Sequence, residues 1–445
     1  MNANLSPKDI VDSGMCIGCG SCVAQSKNFK VQMGFDNFGH LKPYGPVEWY
    51  EEPSRDIMDT CPFSPESTKE DELAAALFPY SAQKNIAAGL YQNAYVGYVN
   101  QPGLRAKGSS GGMTTWVAME LLNNNLIDAV IHVVPSEKPD QDGDFFHFSI
   151  SKTEEEILQG AKSRYYPTEL SNVLKIIREE PGRYAIVGVP CFIKAIQLLR
   201  KHDQVFKDRI KFTLGLFCGH MKSSRLVESF AVQMKVSLPE VAKVEFRHKF
   251  PDRAAYWYNA RLTLKDGSIV HKDWRYLNDG DWGAGFFMNS ACNFCDDVLA
   301  ETADVSFGDA WVEPYALDGL GTNVVVVRSN VVGLLISKGI ASGRLSLAGV
   351  DGKFIARTQE AGLRQRREGL AYRLSWNNTK IKTKKRVDPN ANIPLSRKLI
   401  YIVRFHISIW SSTIFLFSKT SNLMSFYLAW AKCALWVYYK VRGKP

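Results

Sequence analysis

The run Cys16-Ile17-Gly18-Cys19-Gly20-Ser21-Cys22 sets three cysteines two residues apart, and Cys61-Pro62 supplies a fourth 39 residues beyond Cys22. Gly18, Gly20 and Ser21 are small enough for the backbone to wrap closely, so the thiolates converge on one point. Bacterial ferredoxins hold iron–sulfur cubes with such runs, and a proline follows their last cysteine as well. The chain has no second C-x2-C-x2-C run, so these four cysteines most simply share one [4Fe–4S] cluster. Zinc sites usually pair two C-x2-C knuckles or add His, and three cysteines within seven residues fit that poorly. An N-terminal ferredoxin-like iron–sulfur domain is expected over residues 1–80.

Around that run the composition is that of a globular protein with room for two or three domains: 445 residues, 45% hydrophobic and 22% charged. Nine cysteines in this length do not make a secreted disulfide scaffold, and Met1-Asn2-Ala3-Asn4-Leu5-Ser6-Pro7-Lys8 has no signal-type apolar core. Both point to the reducing cytoplasm. The net charge of +10 is uneven. Residues 361–445 hold 17 Lys and Arg against two Asp and Glu, a surplus of 15 that leaves −5 elsewhere. The basicity therefore concerns the tail's partner, and no nucleic-acid partner is expected.

Residues 91–360 alternate strand-like and helix-like segments. Strands are expected at 94–99, 129–134, 184–189 and 211–216, with helices at 113–124, 153–158, 167–179 and 192–201 between them. Segments 244–250, 255–264 and 268–273 read as an antiparallel excursion, and 304–309 and 322–327 as buried strands. This rhythm predicts an α/β fold with a mixed sheet covered on both faces, in a middle domain over 81–379. In the N-terminal part, 35–40 reads as a hairpin turn, and 56–60 and 66–77 as helices.

Three more constellations can carry chemistry. Cys292-Asn293-Phe294-Cys295 is a single C-x2-C pair, which zinc and redox motifs share. Cys191 follows Val189-Pro190 at one strand end and Cys218 follows Leu216-Phe217 at the next, and strand ends on one side of an α/β sheet line a common crevice. The four could meet there on a second [4Fe–4S] cluster, or Cys191 and Cys218 could be buried apolar residues. Gly108-Ser109-Ser110-Gly111-Gly112-Met113-Thr114 sits at a strand-to-helix junction. It suits a phosphate at a helix N-terminus, such as a flavin pyrophosphate, or a flexible helix cap; it is neither a dinucleotide fingerprint nor a P-loop. Lys162-Ser163-Arg164-Tyr165-Tyr166-Pro167 adds cations and rings. Gly308-Asp309-Ala310-Trp311 closes a strand, where Asp309 either binds a ligand or caps a helix. No nucleophile triad is evident, and His220, beside Cys218, reads as a donor to sulfide.

Together these residues resemble the coenzyme F-420 hydrogenase/dehydrogenase beta-subunit family, which includes beta subunits of deazaflavin-reducing hydrogenase and formate dehydrogenase, and 7-hydroxymethyl chlorophyll a reductase. The matching residues are Ser110-Gly111-Gly112, Lys162-Ser163-Arg164-Tyr165, Val189-Pro190-Cys191, Leu216-Phe217-Cys218, Cys292-x2-Cys295-Asp296 and Ser306-x-Gly308-Asp309-x-Trp311. The resemblance covers about residues 10–360. It implies FAD bound by Ser110, Gly111, Gly112, Met113, Ser163, Arg164, Tyr165 and Pro190, and a second [4Fe–4S] cluster on Cys191, Cys218, Cys292 and Cys295. Electrons would pass from ferredoxin or another one-electron donor through both clusters to FAD and on to a small-molecule or glycan-related substrate. Relatives of this form sit among surface-polysaccharide genes, so polysaccharide biosynthesis is one expected setting. The alternative is a non-catalytic electron-transfer subunit of a partner oxidoreductase. Ser163-Arg164 departs from the Ser-Lys of many relatives, keeping a cation with different geometry.

Residues 380–445 have no counterpart in the hydrogenase subunits. A basic run, 380–386, and a linker, 388–394, lead into an aromatic, apolar and basic stretch at 397–441. Only 14 residues separate Arg404 from Lys419, short of the about 20 a spanning helix needs. Two amphipathic helices lying in the membrane interface fit better, with Trp410 and Trp430 at headgroup depth. A helical hairpin packed on protein is the competing expectation. The first would place the chain peripherally at the inner face of the membrane.

Overall fold

The computed structural model describes residues 5–26, 29–376 and 381–443. The domain boundary expected at 379–380 and the start of the basic run at Lys380 lie outside the described residues, as do Met1 to Asn4. Two small hairpins come first: β1 (Gln32–Phe35) with β2 (Leu41–Tyr44), and β3 (Gln83–Asn85) with β4 (Gly89–Tyr91). The main sheet then uses β5 (Asn93–Val99), β6 (Ala129–Pro135), β7 (Phe146–Ser151), β8 (Tyr184–Gly188) and β9 (Ile210–Leu216). A separate antiparallel sheet follows, of β10 (Val241–His248), β11 (Asn259–Leu264) and β12 (Ile269–Asp273). The chain returns to the main sheet with β13 (Val305–Asp309), β14 (Asn323–Val327) and β15 (Leu345–Gly349).

The main sheet has eight strands in the order β15-β5-β14-β13-β9-β8-β6-β7. β6, β8, β9 and β13 run parallel, and the remaining pairs are antiparallel. It is a mixed α/β sheet, as the alternation in sequence predicts. Successive side chains on a strand point to opposite faces. Val130 and Ala185 therefore pack with Trp116, Val117 and Leu121 of the helix Met113–Asn123. Their neighbours Ile131 and Ile186 face the other side, against the helices Ser171–Glu179 and Pro190–His202. Every residue of β14 is buried, as a strand covered on both faces requires.

The parallel direction of β8, β9 and β13 brings their C-terminal ends to one edge. Val189-Pro190-Cys191 leaves β8 there, Phe217-Cys218 leaves β9, and Asp309 ends β13. The cysteine loop packs into the same core: Ile10, Ile17, Cys19 and Ala24 share one hydrophobic cluster with Ile131, Leu174, Ile186 and Ile196.

Local differences from the sequence reading have visible causes. The helix expected from 167 begins at Ser171, because the Leu170 N–H donates to the Cys19 carbonyl at 2.9 Å instead of to the preceding turn. The helix expected from 66 begins at Glu70. The strand expected from 255 begins at Asn259, beside irregular pairing of β10 between Glu245 and His248. Edge strands β7 and β15 were not expected; each pairs on one side only.

The tail forms two helices, Leu395–Thr420 and Met424–Val441, that contact each other along their length. One face packs on the core. Phe415 meets Phe287 edge-on at 5.4 Å and Tyr427 at 5.0 Å, Ser411 Oγ accepts the Phe287 N–H at 2.8 Å, and the Tyr427 hydroxyl donates to Asp279 at 2.8 Å. The first helix is long and apolar enough to cross a membrane, yet its buried face carries Arg404, Ser408, Ser411 and Ser412. The expected packed hairpin is thus present on one face, while the outer face stays exposed. Phe415→Ala should lower the unfolding free energy by about 3–5 kcal/mol, while the exposed Phe417→Ala changes it by less than about 0.5 kcal/mol. Urea denaturation checks this, and equal effects would contradict the packed face.

Candidate functional site

The first cysteine set depends on glycine. Gly18 and Gly20 have φ near +77° and +79°, where other residues are strained. A Cβ on Gly18 would stand 2.5 Å from the Leu41 carbonyl oxygen. The loop can therefore curl tightly against β2. Burial pushes the Cys19 thiol up to about 11 and that of Cys61 to about 12, and in each case thiolates of the same set push further. Cys22 is held well above its ordinary value, first by burial and then by Cys19, Cys16 and Cys61. These four thiols thus lie near enough to feel one another's charge.

The thiols of the second set lie near one another as well. Cys191 is the second residue of the helix Pro190–His202, whose N-terminal end favours a thiolate. Burial, then Cys295, Cys218, Cys292 and finally Cys19, raise its thiol. The Cys292 sulfur accepts the Met221 N–H at 3.3 Å. The two sets are tied directly: Ser290 Oγ donates to the Gly14 carbonyl at 2.6 Å and Asn289 Nδ2 to the Cys16 carbonyl at 3.4 Å. Pro62, Phe63, Cys191 and Cys295 line one small gap between them, beside the buried Lys194–Glu70 pair at 3.1 Å. Among the described residues no three His, Cys, Asp or Glu side chains are placed to hold a single metal ion. The ninth cysteine, Cys433, is exposed in the tail.

Beyond Cys218 opens a cavity of about 750 Å³. Ser110, Gly112, Met113, Ser163, Arg164 and Tyr165 line it, together with Cys218 itself. Gly111 stands behind the wall, where a Cβ would be 2.7 Å from the Gly97 carbonyl oxygen and 2.9 Å from Asn323 N. Pro190 is buried in the first turn of its helix, outside the lining. Ser163 N–H donates to Ser109 Oγ at 2.8 Å, fastening the two small-residue segments together. Ser110 Oγ, Arg164 Nε, Arg247 Nε and His220 Nε2 are buried without a hydrogen-bond partner. Such atoms are costly unless a ligand meets them. Large flat walls come from Trp282, stacked on His220 at 4.4 Å and tilted against Tyr165 at 4.5 Å.

Several lining residues were not legible in sequence. Lys222 is buried under Trp282, donates to the Phe286 carbonyl at 2.6 Å, and is lowered by burial to about 7. Arg247 pairs with Asp309 at 2.9 Å between the Tyr258 and Trp311 rings. Only the Asp309 side of that pair carried a sequence signal. Lys162, one of the cations of the 162–167 segment, lines the cavity and pairs with Glu245 at 2.8 Å.

Two family models match: "coenzyme F420 hydrogenase/dehydrogenase, beta subunit N-term" over residues 94–175 and the corresponding C-terminal model over 182–353. The chain is similar to the coenzyme F420 hydrogenase subunit beta of Methanococcus voltae, 25% identical over 59% of this chain and 86% of that one. It is also similar to the coenzyme F420-dependent sulfite reductase of Methanocaldococcus jannaschii, 24% identical over 67% of this chain but 43% of the longer relative. A chain of the F420-reducing [NiFe] hydrogenase complex from Methanosarcina barkeri shares the fold, with a TM-score of 0.52 at 17% identity over 68% of this chain and 99% of that one.

The Arg247–Asp309 pair makes a test of the cavity wall. Asp309→Asn leaves a buried guanidinium unpaired and should cost about 2 kcal/mol, less than a fully buried pair because Asp309 is partly exposed. Adding Arg247→Met should restore part of that loss in urea denaturation; a double variant no more stable than the single would contradict the pairing.

Proposed function

The chain belongs to the coenzyme F420 hydrogenase/dehydrogenase beta-subunit family, and on that premise we propose that it is an electron-transfer subunit of an oxidoreductase. It would pass electrons between a one-electron partner, such as ferredoxin, and a flavin-type cofactor. The observation that carries this reading is continuity. One cysteine set packs against the second, and the second opens through Cys218 into the cavity. Electron tunnelling needs redox groups held close, and here a single small gap lined by Pro62, Phe63, Cys191 and Cys295 lies between the two sets, while Cys218 reaches the cavity wall.

In this reading Cys16, Cys19, Cys22 and Cys61 hold one [4Fe–4S] cluster, and Cys191, Cys218, Cys292 and Cys295 hold a second. The four-thiol donor sets suit the group. FAD suits the cavity's size and lining. A flavin supplies the exchange between one- and two-electron chemistry. The chain's own residues bind and orient it. The Gly112 N–H stands at the N-terminus of the helix Met113–Asn123, where an anion is favoured, while the Met113 N–H is taken by Asn323 Oδ1 at 3.1 Å; Ser110, Ser163 and Arg164 offer unmet or adaptable polar atoms; Tyr165 and Trp282 exclude water from a ring face.

The relatives' names favour a subunit that serves a partner over an enzyme that reduces a glycan by itself. They also make a deazaflavin coenzyme the first candidate for the two-electron partner. The test uses the full chain prepared without oxygen. Cys19→Ser should keep flavin bound but abolish its reduction by reduced ferredoxin, while reduction by the reduced deazaflavin coenzyme continues. Unchanged reduction by ferredoxin in that variant would take the first cysteine set off the path.

A further inference from the structure

Arg366, Arg373 and Arg404 are buried to within 6% of full burial, and none is paired with a carboxylate among the described residues. Arg366 donates to the carbonyls of Cys292 and Gly219. Arg373 donates to the carbonyls of Asn293 and Gln365. Arg404 donates to the Gly283 carbonyl and to Met288 Sδ. Carbonyl oxygens solvate a guanidinium but do not balance its charge. Three unbalanced buried cations repel one another, and Arg404 and Arg366, after burial itself, are what weaken the proton's hold on Arg373. Such a cluster is costly unless an anion faces it. By contrast, Lys385 sits by the same cysteines with Asp296 3.7 Å away, so its charge is met.

The group that faces Arg366 is the second cysteine set. Its two guanidinium nitrogens reach the backbone beside Cys218 and at Cys292, spanning both loops that carry ligands. All three arginines lie beyond residue 353, where the family match ends.

We infer that Arg366, Arg373 and Arg404, supplied by the C-terminal part of the chain, are the counter-charge of the anionic group on Cys191, Cys218, Cys292 and Cys295, and that Arg366 is the positioning residue that raises its reduction potential. This rests on the second cluster proposed above. Four thiolates give such a cluster net negative charge, which grows on reduction, so a fixed cation favours the reduced form. Removing the cation must shift the couple toward the oxidised form.

The experiment is a redox titration followed by electron paramagnetic resonance on the full chain prepared without oxygen, with iron and sulfide counted in every variant. Cys19→Ser separates the two cluster signals. Arg366→Met should shift the oxidised-to-reduced ratio of the second cluster at least about tenfold at fixed potential, a fall of about 59 mV for one electron. Arg366→Lys should recover most of that shift, and Arg404→Met should give a smaller shift of the same sign. Full iron with an unmoved potential in Arg366→Met overturns the inference while leaving the cluster in place. If Arg366→Met loses its iron, Arg404→Met decides in the same way. Iron unchanged by Cys292→Ser in otherwise wild-type protein would instead overturn the cluster itself.

The outer face of the tail hairpin carries a separate case. Trp410, Phe417, Phe426 and Trp436 are exposed on it, with Phe417 and Phe426 in contact at 6.2 Å across the turn. Residues 389–445 hold eight Lys and Arg and no Asp or Glu, and Lys432 and Lys440 are exposed on the second helix. An apolar, aromatic face with cations and no anion complements an anionic lipid surface. We propose that this face rests on such a surface without crossing it. Full-length protein should float with vesicles containing phosphatidylglycerol, float less with phosphatidylcholine alone, and lose flotation in Trp410→Glu/Phe417→Glu. Equal flotation of that variant, no flotation of the wild type, or a stable dimer that hides this face would overturn the proposal.

Discussion

An apolar core can hold sulfur anions only where positive charge is brought to meet them. The cysteine sets lie in the same hydrophobic cluster as Ile186 and Ile196, and burial opposes ionisation of Cys19, Cys22, Cys61 and the whole second set. What offsets that penalty differs between the sets. The first receives backbone turns and Lys194, whose charge eases Cys61. The second receives a helix N-terminus at Cys191 and the guanidinium of Arg366. The strand directions matter because they place these pieces: only parallel β8, β9 and β13 put Cys191, Cys218 and Asp309 on one edge.

The tail belongs to the same electrostatic arrangement. Arg404 sits in the middle of the first tail helix and lies against Gly283 and Met288, within reach of the Cys292 loop. Ser408 on the same face accepts from Asn293, the residue after Cys292. The basicity of residues 361–445 therefore divides in two. Part of it is buried against cysteine loops, where it has a structural partner, and part is exposed on the outer helix face.

The parts of this arrangement that rest on local pattern were legible in sequence. The Cys16–Cys22 run marks itself as a candidate cluster loop by its spacing alone, and the β-rich runs at 129–134, 184–189 and 322–327 differ little from β6, β8 and β14. Cys191 and Cys218 could be placed together because a strand end is a predictable location. Arg247, Trp282 and Arg366 could not, because each is an isolated residue whose role comes from a partner far away in sequence: Asp309, His220 and Cys292. The tail was ambiguous for a physical reason. The first helix buries Arg404, Ser408, Ser411 and Ser412 while Trp410 and Phe417 stay exposed, so apolar periodicity did not say which side the core would cover. Tertiary partners such as Phe287 and Asp279 decided it.

The account stands or falls on whether two cluster positions and one flavin position are filled together in one chain. The most direct measurement is iron, acid-labile sulfide and flavin per chain in protein purified without oxygen. Two [4Fe–4S] clusters and a flavin require about eight iron, about eight sulfide and one FAD per chain. About four iron with no flavin would contradict it, leaving a single ferredoxin-like cluster beside an α/β body whose cavity serves some other ligand.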